Sequence, residues 1–289
     1  MAETLEQLLT RPVPAIPYII GRGVLPVRGK MVIGGPPKAN KSFIVLNMAL
    51  NLVRGENIFG ATFMNKTPVM PVKRKWRVLY FEQEMGELGL QERFRGKDST
   101  IGGLITPAQS AGLELFLKSR DMSLRLDTDE GRKFIYHEVD TIKPDVVIFD
   151  PLAKFHLSDE NSAQQMGAIM RAGDRLIENY GCAVVYIHHT GKENMEFPKR
   201  GGDRLRGSSA IFADCDTFID VARKSSPHAK EPVLRLEFEL RRGEPMDPVS
   251  VRRRRNGVCE YLGEYWEEKE DETKQAPPPR KNREPYGDL

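Results

Sequence analysis

The chain has 289 residues, of which 39% are hydrophobic and 29% charged, and its formal net charge at pH 7 is +3. This length is sufficient for one large α/β domain or two small ones, and the mild positive charge permits a nucleic-acid partner without requiring one. The sequence has no apolar stretch as long as a membrane span, which argues against an integral membrane protein.

In chain order, residues 1–29 are predicted to form an N-terminal extension, with a short polar helix followed by an extended, proline-containing segment. Its first residues are acidic rather than signal-like. The three cysteines of the chain lie far apart and show neither a disulfide framework nor a metal spacing. We therefore expect a protein of the reducing cytoplasm.

The next segment is the most informative one, because a short apolar run at residues 31–33 leads through small residues into an apolar helix. A strand, such a loop and a helix N-terminus direct several backbone N–H groups at one point, where the helix dipole favours an anion. The pattern is that of a P-loop, in which Lys41 reaches the β- and γ-phosphates of a nucleotide and the Ser42 hydroxyl holds Mg²⁺. The residues predicted to surround the nucleotide are Gly35, Pro36, Pro37, Lys38, Ala39, Asn40, Lys41, Ser42 and Phe43.

One position departs from the P-loop pattern, since Asn40 stands directly before the lysine where glycine is usual. Asparagine is the non-glycine residue that best tolerates left-handed backbone, so the turn can still form. Its side chain could nevertheless crowd the phosphates. A proline- and glycine-containing turn capped by a serine-bearing helix is the alternative interpretation of this segment.

Downstream, strand-like and helix-like segments alternate, which predicts a doubly wound, mostly parallel α/β sheet over residues 30–265 with ligands at the carboxyl ends of the strands. The last four strands follow each other closely and predict antiparallel hairpins that extend this sheet. Residues 266–289 are charged and proline-rich and are predicted to be a disordered tail. The predicted strands are 77–81, 123–126, 145–149, 182–187, 217–222, 233–240, 249–252 and 258–262, and the predicted helices are centred on 88–94, 134–142 and 161–179.

Three carboxylates end predicted strands. Asp150 closes a continuous apolar run, the form of a Walker B carboxylate that orients Mg²⁺, although it could instead cap the following turn. Glu82 and Glu84 both follow the strand at 77–81 and point the same way, because side chains alternate along an extended segment. We expect Glu84 to act in catalysis and Glu82 to be secondary or structural.

The strand at 182–187 ends in His188 and His189, which point to opposite faces and are therefore not expected to chelate a metal. One histidine is predicted to hydrogen-bond the γ-phosphate, and the other to be a buried histidine satisfied by backbone. The long, basic segment that follows, residues 190–206, is predicted to contact the phosphates of a nucleic-acid strand, with a merely solvated loop as the alternative. The residues predicted to make these contacts are Lys192, Lys199, Arg200 and Arg204.

Two arginine runs, Arg241-Arg242 and residues 252–255, lie at the ends of predicted hairpin strands. Charge runs at such places are usually solvated. In an oligomeric nucleotide hydrolase, however, an arginine at a hairpin tip can reach the γ-phosphate bound by a neighbouring subunit.

In its order of P-loop, strand-end glutamate, strand-end aspartate, paired histidine and Arg-Gly-Ser-Ser, the chain resembles the RecA-like hexameric helicases, and most closely the plasmid replicative helicases of the RepA type. The resemblance covers about residues 25–245 and is closest over residues 150–161, 181–189 and 206–209. It implies that ATP and Mg²⁺ are bound, that Glu84 activates water, that Asp150 is the Walker B carboxylate and that His189 senses the γ-phosphate.

The position of the RepA-type arginine finger aligns near Asp216, which cannot play that role. DnaB-like relatives use a basic pair at a later hairpin, which corresponds to Arg241 and Arg242, with Arg206 as a further alternative. The resemblance also implies a homo-oligomeric ring, most simply a hexamer, that moves on single-stranded DNA during replication of a plasmid, phage or mobile element, with replication partners recruited through the tail. The rival interpretations are a RecA-like recombination or regulatory ATPase without unwinding and a weakly hydrolysing nucleotide-binding scaffold.

Overall fold

A nine-stranded sheet organises the part of the chain that the computed structural model describes, namely residues 4–10, 12, 17–62, 66–96, 102–190, 209–226 and 228–264. The helices are α1 (Leu5–Thr10), α2 (Lys41–Arg54), α3 (Gly86–Arg95), α4 (Pro107–Ser110), α5 (Asp129–Ile142), α6 (Ala163–Tyr180) and α7 (Ser209–Ala213), with 3-10 turns at Ile58–Gly60 and Leu152–Lys154. The strands are β1 (Tyr18–Ile20), β2 (Leu25–Pro26), β3 (Lys30–Gly34), β4 (Val78–Glu82), β5 (Leu115–Ser119), β6 (Val146–Asp150), β7 (Ala183–Ile187), β8 (Thr217–Arg223), β9 (Val233–Leu240), β10 (Val249–Arg253) and β11 (Cys259–Glu264).

The strand order is β11-β10-β9-β8-β3-β7-β6-β4-β5. The strands from β8 to β5 in this order run parallel to one another, whereas β9, β10 and β11 continue from β8 as antiparallel neighbours. The predicted parallel sheet with C-terminal antiparallel hairpins is therefore confirmed. Within the described ranges, no helix combines the length and the apolar character needed to cross a bilayer.

The prediction of a strand at residues 123–126 is wrong. Leu124 donates its N–H to the Asp121 carbonyl in a turn, and Leu126 donates to the Phe155 carbonyl. Both leucines are buried, so their alternating pattern reflects the anchoring of a turn in the core rather than pairing in the sheet. The edge strand is instead β5, which pairs with β4. Because β5 is partly exposed, with Phe116 38% accessible, its sequence lacks the continuous apolar run of the buried strands.

Helices cover both faces of the parallel strands, and successive strand residues face opposite layers. The α2 layer contains buried residues of α2 and α3, whereas the α6 layer contains those of α5 and α6. In the α6 layer, the Phe149 ring stacks on Phe81 and Tyr186 with centroid distances of 5.3 and 5.5 Å. Because side chains alternate, Asp150 and Tyr80 face the α2 layer, the side on which the helix after the P-loop lies.

The N-terminal segment contributes to this core in part. Strands β1 and β2 form a two-stranded antiparallel sheet that buries Ile20 and Leu25 in the α2 layer, whereas α1 has no buried residue. The predicted tail, residues 266–289, lies outside the described residues. The carboxyl ends of β3, β4, β6, β7 and β8 thus meet at one edge of the sheet, where the polar residues of the predicted site follow.

Candidate nucleotide-binding site

The loop between β3 and α2 lies directly against the neighbouring strand β8. Gly35 has a φ of 153°, and a Cβ atom at this position would lie 2.4 Å from the carbonyl oxygen of Val221. No side chain fits at that distance. Glycine is therefore required here because the loop backbone and β8 approach so closely.

Asn40 occupies the left-handed region, with φ 68° and ψ 22°, and directly precedes the first residue of α2. Its side chain makes no capping hydrogen bond to the helix. Asparagine at this position therefore provides the backbone conformation for which glycine is usual, as the sequence predicts, because its short side chain tolerates positive φ.

The Lys41 ammonium is buried at the start of α2 and bonded to the loop itself. Its Nζ atom donates to the carbonyl oxygens of Gly35 and Pro36, at 2.8 and 3.0 Å, and lies 3.2 Å from Nδ1 of His189. Burial lowers the pKa of Lys41 to about 8, with the charges of Asp150, Glu84 and Asp220 opposing the shift.

Asp150 is a buried carboxylate at the end of β6 with two hydroxyl partners. The Tyr80 hydroxyl donates to Oδ2 at 2.5 Å, and the Ser42 side chain also hydrogen-bonds to this carboxylate. Burial raises the pKa of Asp150 to about 6, against the opposing effect of these two hydrogen bonds and of the Arg93 charge. The hydroxyl of Ser42 and the carboxylate of Asp150 form a pair of hard oxygen ligands suited to Mg²⁺, which takes its other ligands from phosphate and water.

The two glutamates after β4 have different surroundings. Glu82 is 1% exposed, and its carboxylate accepts backbone N–H bonds from the first residues of the following turn and helix. Glu84 is exposed, and its side chain lines the cleft over the P-loop. Glu82 therefore binds the backbone N–H groups at the start of α3, whereas Glu84 remains accessible from the cleft.

The two histidines after β7 face different environments, as predicted. His188 is fully buried, and its backbone N–H donates to the Ile33 carbonyl of β3 at 3.0 Å. His189 is half-buried and lines the cleft beside Lys41. Thr190 donates its N–H to the Gly35 carbonyl at 3.1 Å, so the end of β7 is bonded to the P-loop. In the part of the chain that the structure describes, no group of three His, Cys, Asp or Glu side chains could hold a metal.

Lys41, Ser42, Glu84, Asp150 and His189 line one cleft of about 1420 Å³. Its lining contains six lysine or arginine side chains and two carboxylates, so its electrostatic field favours a polyanion. The carboxylates are Glu84 and Asp150, and the basic residues are Lys38, Lys41, Arg93, Arg223, Lys224 and Arg235.

Two arginines that lie over Phe43, a residue of the cleft lining, were not recognised from the sequence. The guanidinium groups of Arg93 and Arg253 lie 4.5 and 4.8 Å from the centroid of the Phe43 ring. Nη1 of Arg93 is buried without a hydrogen-bond partner among the described residues, and is thus available to an anionic oxygen. Arg253 belongs to the arginine run at 252–255, and it is half-buried rather than solvated. The contact between Tyr80 and Asp150 could have been predicted from the sequence. Tyr80 lies two residues before Glu82, and therefore on the face of the sheet to which Asp150 of the paired strand also belongs.

Arg241, Arg242 and Asp216 do not lie in the cleft. Strand β9 runs antiparallel to β8, so Arg241 and Arg242 lie at the opposite edge of the sheet from the P-loop. Both arginines are exposed, and Arg241 donates to the Ala213 carbonyl. Asp216 accepts the N–H of Lys30 at 2.9 Å at this same edge. The predicted DNA contacts Lys192, Lys199, Arg200 and Arg204 lie outside the described residues, as does Arg206.

Comparison with known proteins agrees with this architecture. The structure is similar to a solved structure named as an ATPase domain, with a TM-score of 0.57 and 14% sequence identity over 81% of this chain and 85% of that chain. The fold is that of a RecA-like P-loop ATPase domain. Residues 2–195, more than half of the chain, match the AAA_25 family, described as an AAA domain. The chain therefore belongs to this family of AAA domains.

The conformation of Asn40 leads to a testable prediction. Asn40→Gly should leave ATP affinity and turnover equal or raise them, because glycine adopts positive φ readily and removes a side chain next to the phosphates. Asn40→Ala is the matched comparison, since alanine resists the left-handed region by about 1 kcal/mol and should lower the melting temperature. Titration with a fluorescent ATP analogue and thermal unfolding test both. A large loss of ATP affinity or turnover in Asn40→Gly would show that the side-chain amide of Asn40 itself acts in the site.

Proposed function

We propose that this chain is an ATPase that forms a ring, most simply a hexamer, and moves on single-stranded DNA. The observation that supports hydrolysis is the convergence of Lys41, Ser42, Glu84, Asp150 and His189 around one basic cleft. Membership in a family of AAA domains and the fold likeness to a solved ATPase domain agree with it.

Binding of ATP would begin with the P-loop. Lys41 is bonded to neutral carbonyls and to an imidazole, and in the described part of the chain no carboxylate lies within ion-pair distance of it. The β- and γ-phosphates supply the missing negative charge, so the ammonium exchanges loop carbonyls for phosphate oxygens. The backbone N–H groups at the start of α2 bind the same anion.

Ser42 and Asp150 would hold Mg²⁺, which neutralises the charge of the phosphates when it is bound. The hydrogen bond from Tyr80 fixes the orientation of the Asp150 carboxylate. The only exposed carboxylate at the cleft, among the residues described, is Glu84. Glu84 accepts a proton from water as the water oxygen bonds to the γ-phosphorus, and cleavage of the bridging P–O bond releases ADP and phosphate.

His189 connects the nucleotide to the segment that follows β7. Its ring contacts Lys41, and its chain neighbour Thr190 is bonded to the P-loop. A γ-phosphate held by Lys41 therefore lies next to His189, and its loss on hydrolysis changes the contacts of that ring. The basic segment at 190–206 begins at this point, so hydrolysis can alter how that segment holds DNA.

The order of motifs supports a more specific assignment, a helicase of the RepA or DnaB type that acts in replication of a plasmid, phage or mobile element, with partners bound through the tail. A RecA-like recombination or regulatory ATPase is the alternative, and strand displacement on a forked DNA separates the two. The left-handed conformation of Asn40 weakens the case for a scaffold with little hydrolysis.

The hydrolysis assignment predicts distinct effects of two substitutions. Lys41→Ala should abolish ATP binding, because backbone N–H groups alone do not neutralise the phosphates. Glu84→Gln should bind ATP normally and lose at least about 100-fold in turnover, the usual effect of removing a positioned proton acceptor. Phosphate release with single-stranded DNA present, combined with equilibrium ATP binding, measures both. Normal turnover in Glu84→Gln would contradict the assignment.

The DNA assignment is tested by the double substitution Lys199→Ala, Arg200→Ala. Binding to single-stranded DNA should weaken regardless of sequence, and the slope of log affinity against log salt should become shallower by about 0.7 for each phosphate that is no longer neutralised. Lys133→Ala, Arg171→Ala removes the same charges from exposed positions on α5 and α6 and should leave the slope unchanged. Equal slopes in the two double variants would place the DNA path elsewhere.

The ring assignment requires a positive charge that reaches the γ-phosphate across a subunit interface. Arg242 cannot approach its own P-loop, since it lies at the opposite edge of the sheet, but it is exposed and able to meet a neighbour. Arg241 is the weaker choice, because its guanidinium already donates to the Ala213 carbonyl.

Arg242→Ala should therefore retain ATP binding and assembly and reduce turnover by about 1000-fold, the effect typical of an arginine finger. Mixing Arg242→Ala with Glu84→Gln subunits should restore part of the turnover, at interfaces where an intact Glu84 meets an intact Arg242. Co-assembled mixtures that remain inactive would exclude Arg242, and Arg206 would be tested next.

A further inference from the structure

Glu82 is a buried carboxylate at the end of β4. It has no role in the nucleotide binding proposed above. It pairs in register with Asp150 of the adjacent strand β6, and the next residue, Gln83, donates its N–H to the Asp150 carbonyl at 2.9 Å. On its other side, the Glu82 carbonyl accepts the N–H of Arg120 at 2.9 Å. The backbone of Glu82 is therefore held firmly from both sides.

The Glu82 side chain turns forward along its own chain. Oε1 accepts the N–H groups of Glu84 and Met85 at 2.7 and 2.6 Å, and Oε2 accepts that of Gly86 at 2.8 Å. One of the three bonds thus goes to the backbone of Glu84 itself. Gly86, the first residue of α3, has a φ of 76°, so the chain turns sharply where the helix begins. The carboxylate braces this turn from inside.

An ordinary helix cap does not need this arrangement. Short Ser, Thr, Asp or Asn side chains near the surface suffice to satisfy the first N–H groups of a helix. Glu82 is instead 1% exposed and lies beside another buried carboxylate, Asp150, which is an unfavourable place for a second negative charge. Three N–H donors and the α3 N-terminus offset that penalty. What this arrangement secures is the position of Glu84, the middle one of the three residues between β4 and α3.

We propose that Glu82 is a positioning residue for hydrolysis, which holds the backbone of Glu84 so that the Glu84 carboxylate projects into the cleft. This inference rests on the proposed role of Glu84 as the group that takes the proton from water. Glu82 is buried and does not line the cleft, so it acts only through Glu84.

The test compares Glu82→Gln, Glu84→Gln and the double variant. In Glu82→Gln the amide N–H₂ replaces one acceptor oxygen and opposes a backbone N–H, so the turn loosens with little change in volume. We expect kcat to fall about 10- to 100-fold, in the range for a misplaced catalytic group, while ATP affinity changes less than about twofold. The double variant should be no slower than Glu84→Gln alone, because the two residues act as one unit.

Glu87→Gln provides a matched control, since it makes the same chemical change in the first turn of α3 at an exposed position. It should leave kcat and ATP affinity unchanged. Amide hydrogen exchange gives a readout independent of turnover. The N–H groups of residues 84–86 should exchange faster in Glu82→Gln than in the parent protein or in Glu87→Gln.

Because Glu82 is buried, Glu82→Asp is measured alongside it. Aspartate keeps the charge but is one methylene shorter, so it should reproduce the loss of kcat even where Glu82→Gln folds poorly. Full turnover in both Glu82 variants, with Glu84→Gln inactive, would overturn the positioning role and leave the role of Glu84 intact. A further loss when Glu82→Gln is added to Glu84→Gln would also overturn it. Full turnover in Glu84→Gln would instead refute the proposed function of Glu84.

Discussion

The in-register parallel pairing of β3, β7, β6 and β4 is the constraint on which the candidate site depends. It aligns the carboxyl ends of these strands, so that Glu82 and Asp150 face each other as direct neighbours. The same pairing bonds the end of β7 to β3 and to the P-loop through the N–H groups of His188 and Thr190. A shift of one residue in either pairing would turn Asp150 or His189 away from the α2 side.

This alignment brings buried charges together, and each of them has hydrogen-bond partners in the structure. Lys41 is bonded to loop carbonyls, Asp150 to two hydroxyl groups and Glu82 to three backbone N–H groups. Glu84 alone among these side chains is exposed to the cleft. A preorganised set of buried charges around one accessible carboxylate is the arrangement expected for stabilising a charged transition state.

The sequence predictions were accurate where a feature depends on a short segment of the chain, and they failed where it depends on contacts between distant segments. The central strands at 145–149 and 182–187 were predictable because strands buried on both faces consist of continuous apolar residues. Edge strand β5 was missed because Phe116 is partly exposed, and Leu124 and Leu126 suggested a strand although they anchor a turn. In the site, the P-loop and the strand-end residues were predictable from motif and position. Arg93 and Arg253 were not, since nothing near either in sequence indicates contact with Phe43.

The sequence by itself determined the parallel α/β class, the P-loop with its left-handed Asn40, and the set of strand-end residues available for chemistry. These features depend on the backbone preferences and apolar patterns of short segments, which are properties of the local sequence and do not require the rest of the chain. Only the tertiary structure decided that Glu82 binds three backbone N–H groups while Glu84 remains accessible, and that Arg241 and Arg242 lie far from their own P-loop. Both outcomes depend on strand order and register, and hence on hydrogen bonds between residues distant in the chain.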